Sequence, residues 1–441
     1  MSDNLKVGMI SLGCPKNQVD AEEMLGCLAG AGFTPTPRAA EADLLVVHTC
    51  GFIGPAKRES VEAILEAARW KREGRCRALV VTGCLAQRYR GELGRELPEV
   101  DAFLGTGELG RVGEVARDLL GLTGPCAPSP GRVRTTPPHV AYLKLAEGCD
   151  NRCSYCVIPA LRGRLASRPP EEVLAEAEKL AASGARELIL IAQDTTAYGR
   201  DLGLPDALAE LLRRLSRLEV DWLRLLYAHP RHLSPALIDA LRGPKVVPYL
   251  DLPLQHIADP LLRAMGRGVT RREVERKLDE LRRAVPGITL RTSFIVGFPG
   301  EGAAEVAELA AFLEEQRFHY AGFFAYSREE GTPAAALPRQ VSARETGRRL
   351  RRLERLQAQI GHARRRELVG RQVRVLVDQP SPENPGWFVG RTPGDAPDVD
   401  GSVYLPGEGL RPGRLVLARV LDAHGYDLVA EAGEEGAEVA G

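Results

Sequence analysis

The sequence predicts an α/β protein with an N-terminal parallel-sheet domain, a partial (βα)6 TIM-like barrel and a small C-terminal antiparallel β-barrel. Three observations lead to this prediction. Short apolar runs alternate with helical segments over residues 5–122 and again over 138–368. A stretch rich in Pro, Gly and Thr at 123–138 is typical of a linker. From 369 to 432 the pattern changes to five short β runs separated by Gly, Pro and Asp, as in a small barrel.

The N-terminal domain is predicted to hold a parallel sheet with helices on both faces, because its strands are continuous Val/Ile/Leu runs. The predicted strands are Lys6–Leu12, Asp43–His48, Arg77–Thr82 and Asp101–Leu104. Apolar residues at helical spacing fill the segments between them. In open sheets of this kind, functional groups collect beyond the carboxyl ends of the strands.

The central domain is predicted to contain six βα units, two fewer than a complete eight-fold barrel. Its predicted strands are Val140–Leu145, Glu187–Ala192, Trp222–Leu226, Tyr249–Leu252, Thr289–Ile295 and Tyr320–Ala325. An Arg-rich helix at 344–368 closes the domain, and its arginines are more typical of a solvated helix face than of a phosphate site. The acidic tail at 433–441 is predicted to be disordered.

Composition limits the class of protein. The 59 basic and 59 acidic residues cancel, so nucleic-acid binding would need a local patch. The N-terminus lacks the pattern of a secretory signal, and no apolar run is long enough to span a bilayer. Nine cysteines without a small-domain disulfide framework indicate a reducing compartment. We therefore expect a soluble cytoplasmic protein with no membrane partner.

One set of cysteines lies on a single short loop. Cys149, Cys153 and Cys156 form the pattern CxxxCxxC in CDNRCSYC, directly after the first predicted barrel strand. A structural zinc site uses four protein ligands, whereas a site for chemistry leaves one position open. Three thiolates can hold three corners of a four-iron four-sulfur cluster and leave the fourth iron for a small molecule. The alternatives for this loop are a zinc knuckle that lacks one ligand and a redox loop.

A second set is dispersed along the N-terminal domain. Cys14, Cys50 and Cys84 each follow a predicted strand directly, in the runs VGMISLGC, LLVVHTC and ALVVTGC. The carboxyl ends of parallel strands meet at one edge of a sheet, so we expect the three thiols to converge there. The chain is thus predicted to have two metal centres, each with a vacant coordination position.

The motifs around these cysteines resemble the methylthiotransferases of the radical S-adenosylmethionine superfamily, and the resemblance covers nearly the whole chain. It is carried by SLGCPKN, HTCGFI, GCLAQR, AEGCDNRCSYCVIPALRGR and SFIVGFPGE. The C-terminal β domain resembles their TRAM module. GCPKN and AEGCDNRCSYC are closer to the RimO branch, which modifies an aspartate of the twelfth small-subunit ribosomal protein. The branch that modifies transfer-RNA adenosine typically has GCQMN.

The resemblance implies two four-iron four-sulfur clusters and S-adenosylmethionine as cofactors. The Cys149/Cys153/Cys156 cluster would reduce S-adenosylmethionine to a deoxyadenosyl radical that removes hydrogen from the substrate carbon. The cluster at Cys14, Cys50 and Cys84 would supply the sulfur, which takes a methyl group from a second S-adenosylmethionine. A cofactor must carry this step, because such a carbon–hydrogen bond is not acidic enough for a side-chain base. We therefore assign no catalytic residue beyond the cluster ligands.

Contacts to S-adenosylmethionine are predicted at the carboxyl ends of the barrel strands, where barrel enzymes keep their chemistry. The candidates are Tyr155, Gln193, Asp194, Gln255 and Arg291. Each of the four polar candidates could equally serve as a hydrogen-bonding residue of the barrel rim.

The expected partners are the ribosomal protein or the small ribosomal subunit and an electron donor such as flavodoxin or ferredoxin, and RNA is a candidate partner of the C-terminal domain. Two alternatives stay open at this point. One is a transfer-RNA adenosine methylthiotransferase, because small β-barrels bind RNA in many settings. The other is a non-catalytic zinc protein associated with the ribosome or with RNA. Iron content separates the second from both enzymes.

Overall fold

The structure of the chain is a computed structural model, which describes residues 5–123, 129, 131–407 and 409–433. The chain divides into two compact units. Unit 1 comprises Met1–Thr135, Glu147–Asp150 and Cys156–Leu165, and unit 2 comprises the rest of the chain. The predicted disordered tail, apart from residue 433, and part of the predicted linker lie outside the described residues. Within the described residues, no helix is both long and apolar enough to cross a bilayer.

Unit 1 contains a five-stranded sheet in which every pairing is parallel. Its strands are β1 (Lys6–Ser11), β2 (Thr34–Pro35), β3 (Leu44–Thr49), β4 (Ala78–Gly83) and β5 (Ala102–Leu104), in the order β2-β1-β3-β4-β5. Its main helices are α1 (Pro15–Gly30), α2 (Gly54–Glu73), α3 (Cys84–Glu96) and α4 (Val112–Leu119). The four predicted strands are all present, and β2 is additional because two residues are too few for a periodic signal.

Alternate residues of the central strand β3 enter the two cores of unit 1. Leu44 and Val46 pack with helices α1 and α4 on one face. Leu45 and Val47 pack with residues of α2 and α3, such as Ile64, on the other face. Burial on both faces explains why the strand is apolar at every one of these positions. Helices therefore cover both faces of the sheet. The carboxyl ends of its strands are not covered in this way and are available for a functional site.

Unit 2 begins with a parallel sheet of six strands, as predicted for a partial barrel. In chain order the strands after β5 are β6 (Val140–Lys144), β7 (Ala146–Glu147), β8 (Ala166–Ser167), β9 (Glu187–Ile191), β10 (Trp222–Leu225), β11 (Val246–Asp251), β12 (Thr289–Val296) and β13 (Tyr320–Ala325). The short strands β7 and β8 stand outside the sheet, whose order is β13-β12-β11-β10-β9-β6. The helices of unit 2 are α6 (Pro170–Ala182), α7 (Ala207–Leu215), α8 (Pro235–Ala240), α9 (Asp259–Ala264), α10 (Arg271–Ala284), α11 (Ala303–Gln316) and α12 (Ala343–Arg366), whereas α5 (Ile158–Arg162) belongs to unit 1.

The last part of unit 2 is a closed five-stranded barrel. Its strands are β14 (Gln372–Pro380), β15 (Trp387–Arg391), β16 (Val403–Pro406), β17 (Leu415–His424) and β18 (Asp427–Ala432). Four pairings are antiparallel, as predicted, but β16 and β18 pair in parallel. The predicted small antiparallel β-barrel is confirmed, and its one parallel seam arises because a closed ring of five strands cannot alternate direction at every pairing.

Buried ion pairs join the C-terminal barrel to the six-stranded sheet. Glu187, at the start of β9, accepts a hydrogen bond of 2.7 Å from Arg224 of β10. Its second oxygen lies 2.7 Å from Arg391 of β15. All three side chains are at most 5% exposed. Glu187 therefore holds one arginine from each of the two sheets.

The loop after β15, residues 392–400, adds further contacts and is called the junction loop below. Its Asp395 pairs with Arg365 of α12 at 2.9 Å, and its Asp400 pairs with Arg291 of β12 at 3.3 Å. Both carboxylates are fully buried. The prediction that the arginines of α12 face solvent was therefore wrong at Arg365, and also at Arg349, which is buried beside Glu301 at 2.7 Å. The sequence pattern does not show which arginine side chains pair with buried carboxylates.

Candidate metal centres and cofactor site

The structure brings Cys14, Cys50 and Cys84 together at the carboxyl edge of the unit 1 sheet. Cys14 precedes α1, Cys50 follows β3, and Cys84 is the first residue of α3. A Cβ placed on Gly13 would lie 3.0 Å from the Cβ of Cys50. A Cβ on Gly51 would lie 2.9 Å from the backbone carbonyl carbon of Cys84. Only glycine at these two positions allows the three segments to approach so closely.

Burial governs the charge of these thiols. It raises the pKa of Cys50 to about 11, and it also raises the pKa of Cys84, against the lowering effect of the Arg162 guanidinium. The neighbouring thiols of Cys14 and Cys84 raise the pKa of Cys50 further. A metal centre binds thiolates, so it must displace these protons and supply the compensating positive charge.

The spacing of the ligand atoms tests what the site can hold. In a tetrahedral zinc site with Zn–S bonds of about 2.3 Å, the sulfurs lie about 3.8 Å apart. Among the described residues, Asp194, His229 and His232 form a group of three metal-ligating residues. Their donor atoms all lie within 4.8 Å of one another. Cys14, Cys50 and Cys84, which all belong to unit 1, do not meet this limit. Wider spacing fits a multi-iron cluster, whose sulfur ligands bind different irons.

Side chains that the sequence did not single out hold the cysteine segments in place. Asn17 of α1 donates its amide to the carbonyls of Leu12 and Thr49, at 2.7 and 3.2 Å. Its own carbonyl oxygen accepts a hydrogen bond of 2.6 Å from Arg162. Asn17 thus ties the chain before Cys14 to the chain before Cys50. Asn17 is the last residue of the SLGCPKN motif, but the motif alone does not show which carbonyls its side chain binds.

Each part of the CxxxCxxC loop makes backbone contacts within its own unit. The N–H of Cys149 donates to Gly163 in unit 1 at 3.2 Å, and the N–H of Ser154 donates to Met265 in unit 2 at 2.9 Å. Arg267, which is 5% exposed, donates to the Cys153 sulfur at 3.6 Å. Two cysteines of this loop, Cys149 and Cys156, belong to unit 1, and Cys153 belongs to unit 2.

Unit 1 also places part of this loop beside the dispersed cysteines. Val157, the residue after Cys156, packs with Cys84 and Leu161 in a small buried cluster. Thr106, in the loop after β5, donates its hydroxyl to the carbonyl of Leu161 at 2.7 Å. The chain that leaves the CxxxCxxC loop is therefore part of the wall around Cys84.

At the carboxyl edge of the six-stranded sheet, Asp194 follows β9 and is 3% exposed. It accepts hydrogen bonds from Asn151 at 2.7 Å, Thr196 at 2.5 Å and His232 at 2.8 Å. Burial alone would raise its pKa, but the bond and charge of His232 bring the pKa of Asp194 down to about 2. Asn151 lies inside the CxxxCxxC loop, so Asp194 is held as a carboxylate against that loop.

Asp194, His229 and His232 are close enough together to raise the question of a single metal ion. Two observations argue against one. Asp194 already accepts three hydrogen bonds, one of them from His232 itself. Burial and the positive charge of Arg267 lower the pKa of His229 to about 3, and the same charge would repel a bound cation. We therefore interpret the histidines as support for Asp194.

Three other candidates also lie near this edge. Gln193 follows β9 and is partly buried. Gln255 has a left-handed backbone with φ of 74° and is held by backbone hydrogen bonds to β12. Strained backbone of this kind concentrates at functional sites. Tyr155 packs with Met265 and Phe298.

The fifth candidate, Arg291, is not brought to this group. It is the third residue of β12, near the amino end of the strand. Its guanidinium donates to Asp251 at 3.0 Å and to Asp400 of the junction loop at 3.3 Å. The sequence shows that Arg291 lies in a strand, but not that its partners are these two carboxylates.

Comparisons with known proteins cover almost the whole chain. Family models match residues 6–105 as Uncharacterized protein family UPF0004, residues 143–313 as the Radical SAM superfamily and residues 369–432 as a TRAM domain. The ribosomal protein uS12 methylthiotransferase RimO of Geobacter sulfurreducens is 48% identical, over 97% of this chain and 98% of its own length. The RimO protein of Myxococcus xanthus is 46% identical, over 96% and 90%.

The chain belongs to the RimO family. This family and the radical S-adenosylmethionine superfamily imply S-adenosylmethionine and [4Fe–4S] clusters as cofactors, and the two cysteine sets are suitable for such clusters. Among solved structures, the radical S-adenosylmethionine methyltransferase TsrM of Kitasatospora setae aligns with a TM-score of 0.54. It is 19% identical and covers 75% of this chain and 77% of its own, so it supports the fold alone.

Proposed function

We propose that this chain methylthiolates the β-carbon of an aspartate in ribosomal protein uS12, the twelfth protein of the small subunit. Cys149, Cys153 and Cys156 are proposed to bind one [4Fe–4S] cluster, and Cys14, Cys50 and Cys84 are proposed to bind the other. The observation that carries the proposal is the convergence of the dispersed cysteines beside Val157, the residue that follows Cys156. The RimO relatives, named as uS12 methylthiotransferases, support the choice of substrate.

When bound, the clusters and S-adenosylmethionine supply electron transfer, hydrogen abstraction and sulfur donation. The chain binds and orients these groups. A carboxylate has about four acceptor positions, and three of those of Asp194 are occupied. One position therefore stays open for a hydroxyl of the cofactor ribose. Gln193 and Gln255 are proposed to add hydrogen bonds, and the Tyr155 ring is proposed to cover one side of the cofactor.

Three further roles complete the proposal. An electron donor such as flavodoxin or ferredoxin reduces the Cys149 cluster. The C-terminal barrel contacts either ribosomal RNA or the protein substrate. The enzyme acts in the cytoplasm, on the ribosomal protein alone or in the small subunit. The substrate class supports the cytoplasmic role, and the TRAM match at 369–432 supports the role of the barrel.

Anaerobic purification of three variants tests the ligand assignment. We expect about eight irons in the wild type and about four in either Cys153→Ala or Cys50→Ala. Cys153→Ala should abolish deoxyadenosine formation, whereas Cys50→Ala should retain it and lose sulfur transfer. Cys27→Ala is the matched control, because Cys27 lies within α1 away from either cysteine set and should keep all of the iron.

The substrate is tested by mass spectrometry of ribosomal proteins and transfer RNA from cells with and without this chain. A methylthio group on uS12 that depends on the chain is expected. A product on transfer RNA and none on uS12 would contradict the proposal, and a colourless zinc protein would remove the enzyme altogether.

A further inference from the structure

A cleft lies at the amino end of the six-stranded sheet, away from the carboxyl edge that holds the cofactor candidates. It is lined by the first residues of β12 and β13, Thr289 and Tyr320, and by the end of α12 and the start of β14. Its volume of about 420 Å³ is within the range of about 300–1,000 Å³ that is typical of small-molecule sites. All of its lining residues belong to unit 2. It is called the basal cleft below, and its polar lining includes Thr289, Arg364, Arg365, Glu367, Arg371 and Arg374.

The lining of the basal cleft is positively charged. Among its described residues, four are arginines and one, Glu367, is a carboxylate. Glu367 is shared by Arg364 at 2.8 Å and by Arg317, outside the lining, at 3.0 Å. Arg365 pairs with the buried Asp395 at 2.9 Å. Even when both carboxylates are counted, the arginines of the lining outnumber them by two.

Three side chains of the lining keep hydrogen-bond donors for a ligand. The guanidinium groups of Arg371 and Arg374 make no hydrogen bond or ion pair to another described residue. Within the same described part of the chain, the hydroxyl of Thr289 also has no partner, although Thr289 is only 8% exposed. A Cβ on Gly394 would lie 2.7 Å from this hydroxyl oxygen, so glycine leaves space beside it. A nearly buried donor without a protein partner is uncommon and is normally satisfied by water or a ligand.

His319 lies in the same wall and adds no positive charge of its own. Burial and the charges of Arg364 and Arg365 lower its pKa to about 3. Its Nδ1 accepts a hydrogen bond of 3.3 Å from the backbone N–H of Leu290, as a neutral imidazole can. The positive charge of the basal cleft therefore comes from its arginines, and the ligand that they suit is an anion.

We infer that the basal cleft binds the phosphate group of a phosphate ester, with Arg371, Arg374 and Thr289 as donors. The planar guanidinium matches the geometry of phosphate oxygens and binds them through two parallel hydrogen bonds. The cleft has room for more than one phosphate group, so RNA and a free nucleotide are the two possible sources. RNA is the expected source, and this choice rests on the proposed function, because a substrate in the small ribosomal subunit lies among RNA phosphates.

The test measures binding of a fluorescein-labelled single-stranded RNA to the anaerobically purified full-length protein, by fluorescence anisotropy at several salt concentrations. Arg371→Gln combined with Arg374→Gln should weaken binding at least about tenfold and reduce the slope of log affinity against log salt by about two. Thr289→Val should weaken binding about threefold and leave the slope unchanged, because the hydroxyl is uncharged. Arg352→Gln combined with Arg355→Gln is the matched control. It removes two charges from exposed positions of α12 outside the cleft and should change binding little.

Direct titrations with ATP and with inorganic phosphate identify the source. Loss of RNA binding alone in the Arg371/Arg374 double variant assigns the cleft to RNA, and loss of ATP or phosphate binding alone assigns it to a free phosphate ligand. The inference is overturned if the two double variants have equal affinities for RNA, ATP and phosphate, or if the Arg371/Arg374 variant loses only binding of uS12. Should that variant not fold, Thr289→Val decides, and wild-type affinity in Thr289→Val rejects the inference.

Failure of the proposed function would be seen in a different measurement. Wild-type protein that forms no methylthio product on uS12 would contradict that function, whatever the affinity of the basal cleft. Phosphate binding that does not depend on Arg371, Arg374 or Thr289 would contradict the inference, whatever the product.

Discussion

Replacing Glu187 by alanine should strongly destabilise unit 2. The change would leave Arg224, which is fully buried, with the carbonyl of Pro393 at 2.9 Å as its remaining hydrogen-bond partner and with the ring face of Tyr249. Arg391 would keep Asp378, which it contacts at 2.8 and 3.0 Å. Breaking a buried ion pair from one side costs about 3–5 kcal/mol, because the remaining charge is uncompensated. We expect a loss of this size in the free energy of unfolding.

Urea unfolding measures this loss, with tryptophan fluorescence as the signal. Trp222 on β10 and Trp387 on β15 report on the two sheets of unit 2, and Trp70 is replaced by phenylalanine to remove the signal of unit 1. Glu171→Ala is the control, because Glu171 is 74% exposed and also pairs with an arginine. The combination of Glu187→Leu with Arg224→Met should be more stable than Glu187→Ala, since it removes both charges. The reasoning is refuted if Glu187→Ala unfolds at the same urea concentration as Glu171→Ala.

Burial raises the pKa of the Asp400 carboxyl from 3.8 to about 6. The protonated carboxyl therefore contributes its full stabilisation below pH 4, and this stabilisation is lost as the pH rises through 6. Relative to wild type, the free energy of unfolding of Asp400→Asn should therefore rise by up to about 3 kcal/mol between pH 4 and pH 6, as measured by chemical unfolding. A difference between the two proteins that does not change with pH would exclude this titration. Gly51→Ala should reduce iron from about eight to about four per chain, because the new Cβ would lie 2.9 Å from the backbone of Cys84. Gly91→Ala, in α3 with nothing within 4 Å of the new Cβ, should keep all of the iron, and equal iron in both variants would show that the segments can move apart.

The strands were predictable because burial on one or both faces leaves a local signal. The predicted Lys6–Leu12 and Tyr320–Ala325 correspond to the observed Lys6–Ser11 and Tyr320–Ala325. The ends of the Arg-rich helix were also close, at Ala343 and Arg366. The direction of the pairing at the barrel seam was not predictable from β runs alone, since it depends on how the ring closes.

The cysteines were predictable as a set because each follows an apolar strand directly. Their supports were not, because Arg162 and Asn17 act across 145 positions of sequence. His232 and Asp194, which are 38 positions apart, are a similar case. Arg291 was assigned to the cofactor from its strand alone, and the structure instead pairs it with Asp400, 109 residues later. Pairs of polar residues that are remote in sequence leave no periodic pattern.

The junction loop has a consequence for swapping domains between members of the family. A chimaera that exchanged residues 369–432 would carry Asp395 and Asp400 away from Arg365 and Arg291, which stay behind in the host. Transplantation would then need the matching arginines to be moved together with the β-barrel. Although the C-terminal barrel has its own closed sheet, its junction loop is paired with arginines of the preceding part of unit 2. The two parts must therefore be exchanged together.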